Sequence, residues 1–98
     1  MTEIRTQPVT ATRVDDIDDT SNTPGAFEYF TAALSDAVAG MIFNCPCGCG
    51  KQRSLSFEAA ESPRWQWDGN HDAPTLSPSV HWVGHWHGWL RNGVWESC

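Results

Sequence analysis

The stretch His87-Gly88-Trp89-Leu90-Arg91-Asn92-Gly93-Val94-Trp95-Glu96-Ser97-Cys98 decides the fold. Asn-Gly between apolar-rich flanks is the strongest short-range hairpin signal. A two-residue type I′ turn needs φ > 0 at both central positions, and Asn and Gly tolerate that best. So short a loop also sets the register. Counting outward, Arg91 faces Val94, Leu90 faces Trp95, Trp89 faces Glu96, Gly88 faces Ser97 and His87 faces Cys98. The last pair puts two potential metal ligands opposite each other on one sheet face, with Cβ atoms about 4.5–5.5 Å apart.

Upstream, Asn44-Cys45-Pro46-Cys47-Gly48-Cys49-Gly50 carries three cysteines on alternate residues. A single free cysteine is commonly just a small core residue. Three so close together, kept apart by Pro and Gly, read instead as a metal turn. Structural zinc takes four Cys or His ligands tetrahedrally, and one turn typically supplies two of them. Pro46 restricts φ after the first thiol, and Gly48 permits a tight reversal after the second. The expected Zn2+ ligands are Cys45 and Cys47 from the turn, with His87 and Cys98 from the hairpin. Cys49 competes with Cys47 within the turn, and His85 competes with His87 if the strand begins early. His71 and His81 read as surface or packing residues.

Between these landmarks the pattern is mostly extended. Met41-Ile42-Phe43 reads as a strand feeding the cysteine turn, and Ser54-Leu55-Ser56-Phe57-Glu58 alternates as a strand. Trp65-Gln66-Trp67 places both indoles on one face, ahead of an Asp68-Gly69-Asn70 turn. Residues 75–83 are extended, with Pro78 marking an edge strand or bulge before Gly84 breaks the run. Residues 26–39 are the exception. Phe27, Phe30, Leu34 and Val38 fit one face of a short helix ending at Gly40. The expected fold is therefore a mostly β, zinc-stabilised antiparallel domain with a C-terminal hairpin and at most one short helix.

The chain has 98 residues, which suits one domain. Residues 1–25 are Thr-rich and acidic without a sustained period, and so read as a flexible tail, with the domain spanning 26–98. A core of that size is marginal on apolar burial alone, which is a reason to expect a metal staple. The formal charge of −6 and the absence of a basic stripe disfavour nucleic acid as a partner. No secretory signal pattern and no apolar run long enough to span a bilayer are visible, so a cytoplasmic setting is expected. There, clustered cysteines act as ligands or catalysts more often than as disulfides.

Catalytic readings compete with this one. A catalytic zinc keeps an open position and a nearby base. His81, His85 and His87 with Asp68, Asp72 or Glu96 offer the residue types, but no HExxH or deaminase pattern is present. A Cys49 nucleophile lacks a recognisable motif, and no catalytic residue is assigned. Trp65, Trp67 and Trp95 read as core. Trp82, Trp86 and Trp89, beside the histidines, read as an exposed protein-binding face.

Two resemblances add to these readings. CPCGCGK resembles the CPCGSGK opening of the C-terminal zinc motif of SecA-type translocation ATPases. Both cysteines of that C-x-C bind zinc, and Cys49 stands where that motif has a serine. More broadly, residues 41–98 resemble a family of small bacterial and phage proteins classed as a domain of unknown function. The likeness lies in CPCGCG, WQWDGN, APTLSPS and HGWLRNG taken together. It implies phage or prophage origin and zinc binding through Cys45, Cys47 and His87, with no activity attached. Family members often carry a cysteine just before the His-Gly step. Here Gly84-His85-Trp86 stands instead, leaving Cys98, Cys49 or His85 for the fourth position. The leading functional expectation is a phage or prophage accessory protein that binds a host or phage protein, possible inhibition of a host factor included. The alternative is a small zinc-dependent hydrolase.

Overall fold

The computed structural model describes residues 4–20 and 22–98; residues 1–3 and 21, part of the expected tail, lie outside the described residues. Among the described residues the strands are β1 (Val9–Thr10), β2 (Phe27–Thr31), β3 (Val38–Asn44), β4 (Gln52–Ser56), β5 (Gln66–Trp67), β6 (Leu76–Ser77), β7 (Val80–Trp82), β8 (Trp86–Arg91) and β9 (Val94–Ser97). They form a four-stranded sheet in the order β1-β9-β8-β7, a three-stranded sheet β2-β3-β4 and a two-stranded ribbon β5-β6, all with antiparallel pairing. The one helical element among the described residues is a 3₁₀ turn at Ile17–Thr20.

The C-terminal hairpin has the register counted from its turn. Asn92 and Gly93 sit at φ 48° and 73°. Arg91 pairs with Val94, Leu90 with Trp95, Trp89 with Glu96 and Gly88 with Ser97, and Cys98 N donates to His87 O at 3.0 Å. Gly88 is required there, because a Cβ would run into Glu96 O and the ring of Trp86.

A second hairpin precedes it. His85 N donates to Trp82 O at 2.9 Å, closing a turn through Val83 and Gly84, and β7 then pairs Val80 with Gly88, His81 with His87 and Trp82 with Trp86. Alternation therefore sends Val80, Trp86 and Leu90 inward, fully buried, and leaves His81, His87, Trp89 and Arg91 on the outer face.

The two larger sheets meet through aromatic rings. Phe43 of β3 stacks on Trp95 of β9 at 4.6 Å and meets Trp82 edge-on at 6.0 Å, while Trp86 and Trp95 form an edge-to-face pair at 5.8 Å. Phe27, Met41 and Leu55 complete the core from the three-stranded sheet. Trp95 Nε1 finds its acceptor in Gly25 O at 2.9 Å. Gly25 lies at φ 77°, where a Cβ would press on the Trp95 ring and Val9.

The helix expected over 26–39 is replaced by the β2-β3 hairpin. Phe27 pairs with Phe43, Tyr29 with Met41 and Phe30 with Gly40. Phe30 thus lies over Gly40, whose missing side chain leaves room for the ring. Leu34, assigned to the helix face, is fully exposed at the turn with φ 61°. The Phe-Glu-Tyr-Phe-Thr run of β2 is rich in aromatic and β-branched types, and cross-strand packing outweighs a loose 3.6-residue spacing.

The segment expected as a tail is laid along the domain. Val9 and Thr10 pair with Trp95 and Val94, Ile4 bridges to Trp86 and Arg13 to Phe27. Ala11 and Ile17 are buried. Asn44 Nδ2 donates to Thr20 O at 2.7 Å and Thr23 O at 3.1 Å, tying this segment to the end of β3. Ala11 and Ile17 each fill a separate slot while Ile4 stays exposed, so no period shows in the sequence.

Candidate metal centre and candidate active site

Cys45, Cys47, Cys49 and His85 converge, with their ligand atoms all within 4.8 Å of one another. His85 Nε2 lies 3.1 Å from Cys45 Sγ, 3.4 Å from Cys47 Sγ and 3.2 Å from Cys49 Sγ, and Cys45 Sγ lies 3.2 Å from Cys47 Sγ. A tetrahedral ion with Zn–S bonds of ~2.3 Å needs donors about 3.7 Å apart, so four donors in this volume fit one ion. The loop is shaped by Cys45 N donating to Lys51 O at 2.8 Å and Gly48 N to Cys45 O at 3.1 Å. Gly48 and Gly50 take φ 87° and 85°, which folds three alternate thiols onto one point.

The thiols differ electrostatically. Burial, reinforced by the neighbouring thiols, pushes Cys45 far above the usual thiol range. At Cys49 slight desolvation acts upward but is outweighed by hydrogen bonds from the Lys51 amide and the adjacent thiols, so this thiol sits below its usual range. A cation at the shared point would favour all three thiolates.

Of the residues expected as ligands, Cys45 and Cys47 lie in the cluster, and so do Cys49 and His85, weighed as alternatives. His87 and Cys98 are placed elsewhere. They oppose each other as counted, yet on the outer face of the four-stranded sheet, away from the Cys turn. Cys98 is exposed. His85 reaches the cysteines because the Val83-Gly84 turn, with Gly84 at φ 73°, breaks the alternation of the strand. Its ring leans on Trp82 at 4.8 Å, and its carbonyl accepts from Ile4 N at 2.7 Å.

His87 has a different partner. Its Nε2 lies 3.0 Å from Ser79 Oγ, both residues being partly buried. Ser79 immediately precedes β7, and one step past the Val80–Gly88 pair its position is across from Trp89. Ser79, His81 and His87 therefore share one face. His81 stacks on His87 with ring centroids 4.2 Å apart and planes at 28°. The β7 backbone is held from outside: Trp65 Nε1 donates to Ser79 O at 3.2 Å and Arg53 Nη1 to His81 O at 3.1 Å. The Arg53 guanidinium lies 5.9 Å from the Trp65 ring and 6.0 Å from the Trp82 ring. Trp65 also lines a cleft of about 420 Å³ with Phe57, Arg64, Gln66 and Trp67.

A nucleophile and a base within hydrogen-bond reach make the minimal unit of serine-based acyl transfer. Ser79 was not singled out in the sequence. The signal that finds it is a hairpin whose register is centred on Gly84, pairing Trp82 with Trp86 and His81 with His87, so that Ser79, His81 and His87 fall on one side. Of the three candidate carboxylates, Asp68 Oδ1 accepts from Asn70 N and Thr75 N, Asp72 pairs with Arg13 at 3.8 Å, and Glu96 lies across from Trp89 on β9. The expected indole face is also corrected. Trp86 is fully buried because it shares the inward face with Leu90, whereas Trp89 is half-buried on the outer face beneath Arg91, 4.3 Å from its ring.

No helix among the described residues is long and apolar enough to cross a membrane. No curated protein and no solved structure matches the chain. A protein-family model, however, matches residues 13–98, nearly the whole of it and including part of the segment expected as a tail; the chain belongs to the family described as bacterial ubiquitination-like system serine protease (BubE).

Proposed function

We propose that the chain is a serine hydrolase that cleaves an acyl bond of a polypeptide within a bacterial ubiquitination-like system, with Ser79 as nucleophile and His87 as general base. The observation that carries this reading is the 3.0 Å contact between Ser79 Oγ and His87 Nε2 on the outer face of the sheet. The family description supports it independently. With its proton on Nδ1, His87 accepts the Ser79 hydroxyl proton at Nε2 as Oγ attacks the scissile carbonyl carbon. The same proton then passes to the leaving amine or alcohol as the bond to it breaks. Water, deprotonated by His87, releases the acid and restores Ser79.

The Cys45, Cys47, Cys49 and His85 cluster is proposed to hold one Zn2+. Three soft sulfur donors and one imidazole suit zinc. Four protein donors close the shell, so the ion's role is structural: it pins the β7-β8 turn, through His85, to the cysteine loop. In this reading the reacting hydroxyl lies at the dyad and not at the ion, unlike in the zinc-dependent hydrolase that is the alternative. The protein partner expected from the sequence becomes, in this reading, the substrate.

Reaction of the full chain with a fluorophosphonate probe, read by intact mass and peptide mapping, tests the active site. One adduct on Ser79, absent in Ser79→Ala and strongly slowed in His87→Ala, is expected. Labelling that persists in Ser79→Ala, or none in the wild type, would refute the assignment. Elemental analysis of reduced protein tests the ion: one zinc per chain is expected, and none in Cys47→Ser.

A further inference from the structure

We infer that His81 is a positioning residue for the serine–histidine pair, acting through its ring face rather than through a hydrogen bond to the reacting atoms. The inference rests on the hydrolase reading above. In a triad, a third group holds the base ring so that the correct nitrogen faces the nucleophile. Here the neighbour of His87 is another imidazole. His81 is its directly opposed partner across β7-β8, and the two rings are nearly parallel at 4.2 Å.

The register explains why these rings meet. Cys98 N donates to His87 O, so His87 turns its backbone polar groups toward β9. His81 and His87 are then a non-hydrogen-bonded pair, the type in which opposed side chains approach most closely. A ring lying flat against His87 restricts rotation about χ2 and keeps Nε2 directed at Ser79. It also presents a π face to His87 at the moment that ring gains the serine proton and becomes positive, an interaction stronger in the transition state than before it.

The platform under His81 is itself built. Arg53 Nη1 holds the His81 carbonyl, and the guanidinium packs against the rings of Trp65 and Trp82. The strand carrying the stacked ring is thus anchored from the three-stranded sheet. His81 is exposed, so changing its side chain removes little packing from the core.

The test compares His81→Ala, which removes the ring, with His81→Phe, which keeps a π face and loses both ring nitrogens. The readouts are the second-order rate of fluorophosphonate labelling of Ser79, the thermal midpoint, and the NMR shifts of the His87 ring protons. In wild type the His87 protons should show an upfield ring-current shift. His81→Ala should abolish that shift and slow labelling about 10-fold, with the midpoint unchanged. His81→Phe should retain the shift and label within about 3-fold of wild type. Equal loss in Phe and Ala would overturn the inference, because it would mean that an imidazole nitrogen is needed. Unchanged labelling in Ala would overturn it as well. Wild-type protein showing the ring-current shift but no Ser79 labelling would sink the hydrolase reading and this inference with it, whereas labelling without the shift would sink this inference alone.

Discussion

His85 and His87 sit two positions apart on one strand-and-turn unit and meet opposite chemistry. His85, at the turn, faces three sulfurs; His87, within β8, faces a hydroxyl and a stacked ring. The turn end is built from soft donors that close around a point. The strand end is built from a hydroxyl and an imidazole left on an outer sheet face. Under the proposed reading the first region fastens and the second reacts, and the difference arises because His85 still belongs to the β7-β8 turn whereas His87 lies within β8.

The largest expected effect separates the two ends outright. Stripping the metal with a strong chelator, or making Cys45→Ser, should remove the cross-link between the cysteine loop and the β7-β8 turn. Loss of a structural zinc costs on the order of 10 kcal/mol in small domains, so loss of the cooperative thermal transition is expected. An apo protein melting like the metal-loaded one would dissolve the distinction between the regions.

Next, Ser79→Ala should lower hydrolysis about 10³-fold or more while leaving zinc content at wild type. Its stability should change by no more than about 1 kcal/mol, the worth of one hydrogen bond. Zinc lost together with activity would mean that the two regions are one site. An intermediate effect is expected for Gly88→Ala, which drives a methyl into Glu96 O and the Trp86 ring within β8, next to His87. Overpacking of this kind costs about 1–3 kcal/mol, visible as a lower thermal midpoint with zinc retained. The smallest is Cys98→Ala. Although Cys98 opposes His87, it is exposed and outside the cluster, so metal content and stability should hold, the latter within about 0.5 kcal/mol. A measurable loss of zinc would return Cys98 to the ligand set.

What the sequence disclosed follows the same divide. Pairings near a turn are local, and the Asn92-Gly93 turn permits a residue-by-residue count that agrees with the structure from Arg91–Val94 to Gly88–Ser97. The cysteine loop was equally readable, because Pro, Gly and thiol types crowd a short span. Opposition across a hairpin, however, does not say which face meets the rest of the protein. His87 and Cys98 were matched correctly and given the wrong surroundings. Deciding between His85 and His87 required the position of the β7-β8 turn relative to the cysteine loop, which is a tertiary fact. Ser79 was hidden by a related gap, since residues 75–83 were read as one strand without a partner. The β2-β3 hairpin was obscured by Phe30 and Leu34, whose spacing fits a helix although one covers Gly40 and the other faces solvent.

The sealing of the β7 edge has a consequence for how a polypeptide would reach Ser79 under the proposed function. An edge strand ordinarily offers its outward carbonyls as a template on which another chain adds as an extra strand. Along β7 the carbonyls of Ser79 and His81 are already taken by the Trp65 indole and the Arg53 guanidinium. Edge-on addition of a polypeptide at this point would have to break both contacts. Approach over the face of the sheet leaves them intact and brings a chain across Ser79, His87 and Trp89 in turn. The same two side chains that hold the backbone at Ser79 and His81 thus deny the strand to a neighbouring molecule seeking to extend the sheet.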